Sequence, residues 1–282
     1  MQRRGPVVVG VDGSPTALTA VDWAADRAQH DTVPLVIAHA FLWDRHQGDD
    51  RSPAERLRKR SMLVDATGRA GQRAPAVSVA TELLAEPTVS GLLHAARNAS
   101  LLVLGSRRRG TLASLLLGSV GSGVAAQARC PVVVMRGRVG VSYGSRPRVV
   151  LGVADRTDAG AAVFALDEAE RLGGEVLAVR AGRPDAPPAE GTGAPCGEQP
   201  TPARRTATQV LAEAPRSHPG VQVEHRHVEG PAKTALLDAS YGAELLVVGA
   251  EGRKGRKGIG LSSVHHAILH RAHCPVAVVP LG

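Results

Sequence analysis

One segment occurs twice in the chain, and its repetition constrains the fold more than any other feature. LLVLGSRRRGTLASLLLGSV fills residues 101–120, and LLVVGAEGRKGRKGIGLSSV fills residues 245–264. Each copy passes from a short apolar strand, through a basic Gly-containing loop, to a Ser able to cap a helix. Each predicted helix then stops at the same dipeptide, Cys130-Pro131 and Cys274-Pro275. The expected cap residues, Ser119 and Ser263, lie 144 residues apart, and so do the two cysteines. A basic loop feeding a helix N-terminus suits an anion, because unpaired backbone N–H groups point outward there. The repeat therefore implies two nucleotide- or phosphate-binding units in one polypeptide.

The halves agree beyond the loops. PVVVGVDGSP opens the first at residue 6 and PRVVLGVADRTD the second at residue 147, with Gly10 and Gly152 in register. Val-rich openings of this kind read as buried parallel strands running into a turn. Helices are expected over 17–30 and 159–172, and second strands over 35–40 and 176–181. The chain then loosens over 43–53 and, with much Pro and Gly, over 182–202, where regular structure is not expected. Charged or amphipathic helices follow over 54–70 and 203–214, and strands over 77–83 and 221–228. Helices over 87–97 and 231–240 lead into the repeated segments, and the last strands begin at Val132 and Val276. Strand and helix alternate throughout. The expected fold class is α/β: two doubly wound, mainly parallel five-stranded sheet domains in tandem. The boundaries read as residues 1–137, a linker over 138–147, and residues 148–282.

Length and composition agree with this division. At 282 residues the chain suits two domains, and 43% hydrophobic residues can fill their cores. Aromatics are only 2%, so those cores must be aliphatic. The formal charge of +8 makes acidic partners worth weighing. Nucleic acid is not favoured: no groove-reading motif is present, and single-strand binding needs aromatic stacking platforms. Three cysteines do not make a disulfide framework. Cys130 and Cys274 read as small packed residues, and Cys196 falls in the Pro/Gly-rich loop. The start of the chain carries no signal-peptide pattern, and no apolar run approaches the roughly 18 to 20 residues of a membrane helix. The expectation is a soluble, cytoplasmic protein with no membrane partner. The closing strands, Val132–Met135 and Val276–Val279, would be bare apolar edges, so a homodimer or an intrachain pairing of the domains is expected.

These residues resemble the universal stress protein family, specifically its tandem-domain actinobacterial members. VVVGVDGSP at residues 7–15, WAADRA in the first helix, HA closing the second strand, and GSRRRG, LLLGSV and CPVVVMR carry the likeness. It covers nearly the whole chain and implies the universal stress protein fold, of the adenine-nucleotide alpha-hydrolase-like type. ATP-binding members of that family carry Gly, two residues, Gly, nine residues, Gly, then Ser or Thr. The first half reads Gly105, Arg108, Gly118, Ser119, so its second Gly is Arg. The second half reads Gly249, Gly252, Ser262, Ser263, so its third Gly is Ser. The family's opening Asp is Asp12 in the first half, whereas Ala154 stands there in the second, with Asp155 one residue late.

Ligands of open α/β sheets lie off the carboxyl ends of the strands, where strand order reverses. That rule sets Gly10, Val11 and Asp12 beside Gly105, Ser106, Arg107, Arg108, Arg109, Gly110 and Thr111. Gly118, Ser119 and Val120 would hold phosphate through backbone N–H groups and the Ser hydroxyl. By resemblance, Ala40 presents its backbone to adenine. The matching places in the second half are Gly152, Ala181, Gly249, Gly252, Gly255, Ser262, Ser263 and Val264. Arg253, Lys254, Arg256 and Lys257 add positive charge there. Ala154 removes an acceptor and Ser262 adds a side chain where backbone and phosphate should meet, so the first half is the better-preserved pocket.

The resemblance implies a stress-response protein that binds ATP, with or without Mg, or a related adenine nucleotide, as sensor or regulator and not as catalyst. The competing reading is an interaction scaffold with degenerate pockets. No catalytic residue is assigned. A Walker A loop would need Ser or Thr after a Gly-Lys pair, and Lys257 is followed by Gly. GSVGSG at residues 118–123 has the wrong spacing for a dinucleotide fingerprint, and no G-x-S-x-G elbow occurs. Any ATP hydrolysis would be slow and incidental. His266 and His270 sit four apart, with His265 and His273 nearby, and His225 and His227 share one side of a strand. Neither group has a carboxylate or Cys spaced to complete a metal set, so both read as polar faces.

Arg108 generates a test. It replaces a Gly in the loop that the resemblance sets beside phosphate, and a guanidinium pairs with anionic oxygens in proportion to their charge. Arg108→Ala is expected to weaken ATP more than AMP, and the difference to shrink at high salt as screening grows. Titration of both nucleotides at two salt concentrations checks this; unchanged ATP affinity makes Arg108 a solvated turn residue.

Overall fold

Within each unit the apolar runs read as strands pair in parallel. The computed structural model describes residues 5–40, 53–106, 119–136, 146–154, 159–182, 207–250 and 261–280. It divides into two units, Met1–Arg136 and Gly137–Gly282.

The first unit runs β1 (Val7–Gly10), α1 (Pro15–Asp31), β2 (Leu35–Ala40), α2 (Pro53–Arg73), β3 (Val79–Leu84), α3 (Thr88–Ala95), β4 (Leu101–Gly105), α4 (Ser119–Gln127) and β5 (Val132–Met135). Its strand order is β3-β2-β1-β4-β5. Every pair is parallel, with Gly10 level with Ala38 on one side and Leu104 on the other. Parallel neighbours require crossover connections, here supplied by the helices. α1 packs on α2 and α3 on α4, giving the two helical layers of a doubly wound sheet. Val7, Val8 and Val9 are completely buried, as strands covered on both faces should be.

α1 shows how the sequence sets an element. Ser14 is extended (φ −77°, ψ 154°), its Oγ accepts from Ala17 N at 3.2 Å, and Pro15 takes the first helical position, where no N–H is needed. The helix thus starts two residues before the expected Ala17. Its buried apolar residues are Ala17, Ala20, Val21, Ala24, Ala25 and Ala28, small enough to sit close on the strands without aromatic filler, and Arg27 is buried beside them with its Nε on Asp31. Thr32, in the left-handed region at φ 55°, ends it. On the outer side Arg69 and Arg73 of α2 form forked pairs with Asp22 and Asp26 of α1, at 2.6 to 2.8 Å.

The second unit repeats the plan: β6 (Arg148–Val153), α5 (Ala159–Leu172), β7 (Glu175–Ala181), α6 (Ala207–Ser217), β8 (Gln222–Val228), α7 (Ala232–Ala239), β9 (Leu245–Gly249), α8 (Ser263–Arg271) and β10 (Val276–Val279). Its order is β8-β7-β6-β9-β10, again all parallel. In both units the order reverses beside the opening strand, between β1 and β4 and between β6 and β9. Glu168, fully buried in α5, is held by Arg171 at 2.8 Å, as a buried charge requires. Among the described residues no helix is long and apolar enough to cross a membrane.

At Gly105 and Gly10 packing, and not a turn, favours glycine. A Cβ on Gly105 would lie 2.7 Å from Ala17 N and Thr16 C, against backbone that cannot move aside. One on Gly10 would lie 2.7 Å from a Leu104 methyl. By contrast, Gly68 is exposed in α2 with nothing within 4 Å of its Cβ position. Gly105→Ala is expected to cost about 2 kcal/mol or more through overpacking. Gly68→Ala should add roughly 0.5–1 kcal/mol from helix propensity. Denaturant melts of the two variants, moving in opposite directions, check this.

The repeated cysteines, Cys130 and Cys274, are both buried free thiols. Cys130 Sγ lies 3.9 Å from the Ala96 carbonyl, and burial pushes its thiol pKa up to about 11. A folded-state pKa above the unfolded one favours the native state below the unfolded value, and that advantage is lost as pH rises through the folded one. The stability of the first unit should therefore fall from about pH 9 to about pH 11. Cys130→Ala should flatten that decline, as denaturant melts across the window would record.

Candidate functional site

In the first unit the parallel register sets the exits of β1 and β4 side by side, since Gly10 and Leu104 are partners. The chain leaves β1 through Val11, Asp12 and Gly13. Val11 N–H donates to the Ala38 carbonyl at 2.9 Å, which extends the sheet by one residue. Asp12 Oδ1 accepts from Ser14 N at 3.0 Å, and Gly13 has φ 78°, a conformation other residues adopt at a cost. The carboxylate therefore shapes the turn that starts α1. From β2, His39 Nδ1 donates to the Val11 carbonyl at 2.8 Å; a carbonyl only accepts, so that nitrogen carries the proton. Ala40 ends β2, level with Leu84 of β3.

From β4, Gly105 rests on the first turn of α1, and Ser106, almost buried, donates its N–H to the Met135 carbonyl at 3.0 Å. Gly10, Val11, Asp12, Ala40, Gly105 and Ser106 thus gather at one end of the sheet. Ser119 and Val120 open α4. Arg107, Arg108, Arg109, Gly110, Thr111 and Gly118 lie outside the described residues, as do Gly252, Gly255, the basic residues 253–257, Asp155 and Cys196.

The assigned caps need correction by one residue. Ser263 is the first residue of α8, and its cap is Ser262, extended at φ −69° and ψ 168°, whose Oγ accepts from His265 N. A capping side chain must stand outside the helix to reach an N–H two or three residues on, and Ser263 is already inside. Ser119 is likewise the first helical residue of α4, not its cap. The Ser that replaces the family's third Gly in the second half thereby acquires a structural task.

The second unit repeats the crest with different contents. Gly152 has side chains of Val248 and Leu236 3.2–3.3 Å from its Cβ position, Ala154 follows β6, and Ala181 ends β7 level with Val228. Ala250 N–H donates to the Val279 carbonyl at 2.7 Å, as Ser106 does to Met135 in the first unit. Ser262, Ser263 and Val264 start α8. His265, 6% exposed, reaches back with Nε2 2.8 Å from the Gly249 carbonyl and Nδ1 2.7 Å from Ser262 Oγ. Sequence reasoning had counted His265 only as one of several clustered histidines.

A cavity of about 250 Å³ opens between β7, β8 and α6, lined by Ala178, Arg180, His225, His227 and Leu211 among others. Ala178 is level with His225, and Arg180 with His227, so the three basic side chains share one face of the sheet. The first unit has Ile37, His39, Thr81 and Leu83 in the matching register, with Ile37 buried. Alternation had set His225 and His227 on one side; Arg180 on the neighbouring strand was missed. His266 and His270 stack with centroids 6.3 Å apart, and among the described residues no group of three metal-binding side chains forms.

Comparisons with known proteins agree with this geometry. Residues 4–136 and again 146–280 match the universal stress protein family. A universal stress protein of Mycobacterium tuberculosis is 32% identical, with 96% of each chain covered. One of Mycolicibacterium smegmatis is 30% identical, over 97% of this chain and 96% of that one. Among solved structures, a universal stress protein from Archaeoglobus fulgidus covers 99% of this chain and 100% of its own, at a TM-score of 0.71 and 17% identity, a likeness of fold. With two strand-for-strand repeats of one doubly wound sheet, each matched separately, the chain belongs to the universal stress protein family and carries two of its domains in tandem.

Proposed function

We propose that this protein binds ATP or a related adenine nucleotide at the crest of its first unit, and acts in the stress response as a sensor or regulator and not as a catalyst. The observation that carries the reading is the convergence of the β1 and β4 exits. The Asp12 turn, the Gly105 approach to α1 and the start of α4 belong to one strand-order reversal, where open α/β sheets bind ligands. Membership of a family whose ATP-binding members use these positions supports it. Ala40 and Val11 would meet the base and ribose, and Ser119 and Val120 would offer α4's first N–H groups to phosphate. Helix-start donors stabilise bound phosphate oxygens without supplying a nucleophile or a base, so binding and signalling is the favoured role.

The experiment is mass spectrometry of ligand released from freshly purified protein, with calorimetry on variants. Adenine nucleotide is expected in the released fraction. Asp12→Ala should lower ATP affinity by about tenfold or more, the order of a hydrogen bond to a charged group. Ser262→Ala, at a cap already engaged within the protein, should change it less than about twofold. Equal losses from both changes would remove the ranking of the two units, and absence of any bound nucleotide would favour the scaffold reading.

A further inference from the structure

His265 is the third residue of α8, and its ring lies buried between the end of β9 and the cap of the helix that follows. The bonding can be followed atom by atom. The Gly249 carbonyl only accepts, so Nε2, 2.8 Å away, carries the proton. In the neutral ring Nδ1 is then an acceptor, and Ser262 Oγ at 2.7 Å donates its hydroxyl proton to it. The same Oγ accepts from His265 N at 3.5 Å. The one proton that Ser262 has to offer is committed inside the protein, and so is the Gly249 carbonyl. The corresponding third residue of α4 is Gly121, 144 positions earlier, which has no side chain to do any of this.

We propose that His265 is the residue that makes the two units unequal: it plugs the second unit's strand-to-helix gap, so that nucleotide phosphate is accepted in the first unit alone. This rests on the nucleotide reading of the first unit given above. A phosphate arriving at the start of α8 would meet an imidazole where the first unit has only a Gly backbone. To take the Ser262 hydroxyl proton it must break the hydroxyl's bond to Nδ1, and to push the ring aside it must break the bond to Gly249 as well, each leaving a buried polar atom unpaired at a cost. Loss of the family's third Gly and gain of the plug are then one change, because Ser262 is both the substituted residue and the ring's partner.

The test is the stoichiometry of ATP binding to the full-length chain by calorimetry. The parent is expected to take up one equivalent and His265→Ala two, the second site strengthening by about tenfold or more. Gly121→His should conversely plug the first unit and lower its affinity by a similar factor. If H265A does not fold, His265→Ser carries the same expectation. Nitrogen-15 NMR of the imidazole supplies a readout independent of nucleotide: the plug requires a proton on Nε2 and none on Nδ1. Two equivalents bound by the parent, one equivalent retained by the folded His265 variants, or the opposite tautomer would each overturn the inference while leaving the nucleotide reading intact. ATP binding by neither parent nor variants would overturn both, since the plug would then exclude nothing.

Discussion

The crest of the first unit depends on one close approach. Because Gly105 has no Cβ, the last residue of β4 lies against the first turn of α1, at a separation that any other side chain would forbid. That contact brings the exit of β4 to the exit of β1, whose chain turns through Asp12 and Gly13 directly into the same helix. The cap at Ser14, the Asx turn at Asp12 and the packing of Gly105 are three descriptions of one corner. If it opens, the strand ends part and the donors around them no longer converge on a common point.

Small side chains make the approach possible elsewhere as well. The face of α1 that meets the sheet is almost entirely alanine, and the strands beneath it are valine, leucine and isoleucine. Short aliphatic residues lose little rotamer freedom on burial and let helix and sheet axes come close. Dense packing tolerates little change in volume, so a single added methyl at Gly105, which would meet backbone, has nowhere to go. The scarcity of aromatic residues is thus the other side of the rigidity that holds the crest in shape.

The second unit keeps the frame and changes what fills it. Its strand order, its parallel register and the Cys-Pro pair three residues after its last helix are those of the first. At the crest, however, Ala154 replaces the turn-forming Asp, and His265 spans Gly249 and Ser262. One strand further out, Ala178 stands where Ile37 fills the first unit, and Arg180, His225 and His227 border the space. Packing keeps the frame fixed, because each buried valine has many neighbours, whereas crest side chains answer to one or two partners and can be exchanged singly.

The sequence by itself determined the fold class, the duplication and the succession of elements. Period-two and continuous apolar runs, Ser-Pro and Cys-Pro boundaries, and an offset of 142 residues at the openings and 144 at the repeated segments are local or translational signals, legible without knowing what touches what. It marked the crest residues Gly10, Asp12, Gly105 and Gly249 through their spacing. The tertiary structure alone decided what those residues do. It moved the cap from Ser263 to Ser262, because capping depends on which backbone is extended and not on which Ser aligns. It turned Gly105 from a loop residue into a packing contact with a helix nearly ninety positions earlier. It joined His265 to Gly249 across 16 residues and Arg180 to His227 across a strand pair. Contacts between residues remote in sequence carry no periodicity, so only the folded chain reveals them.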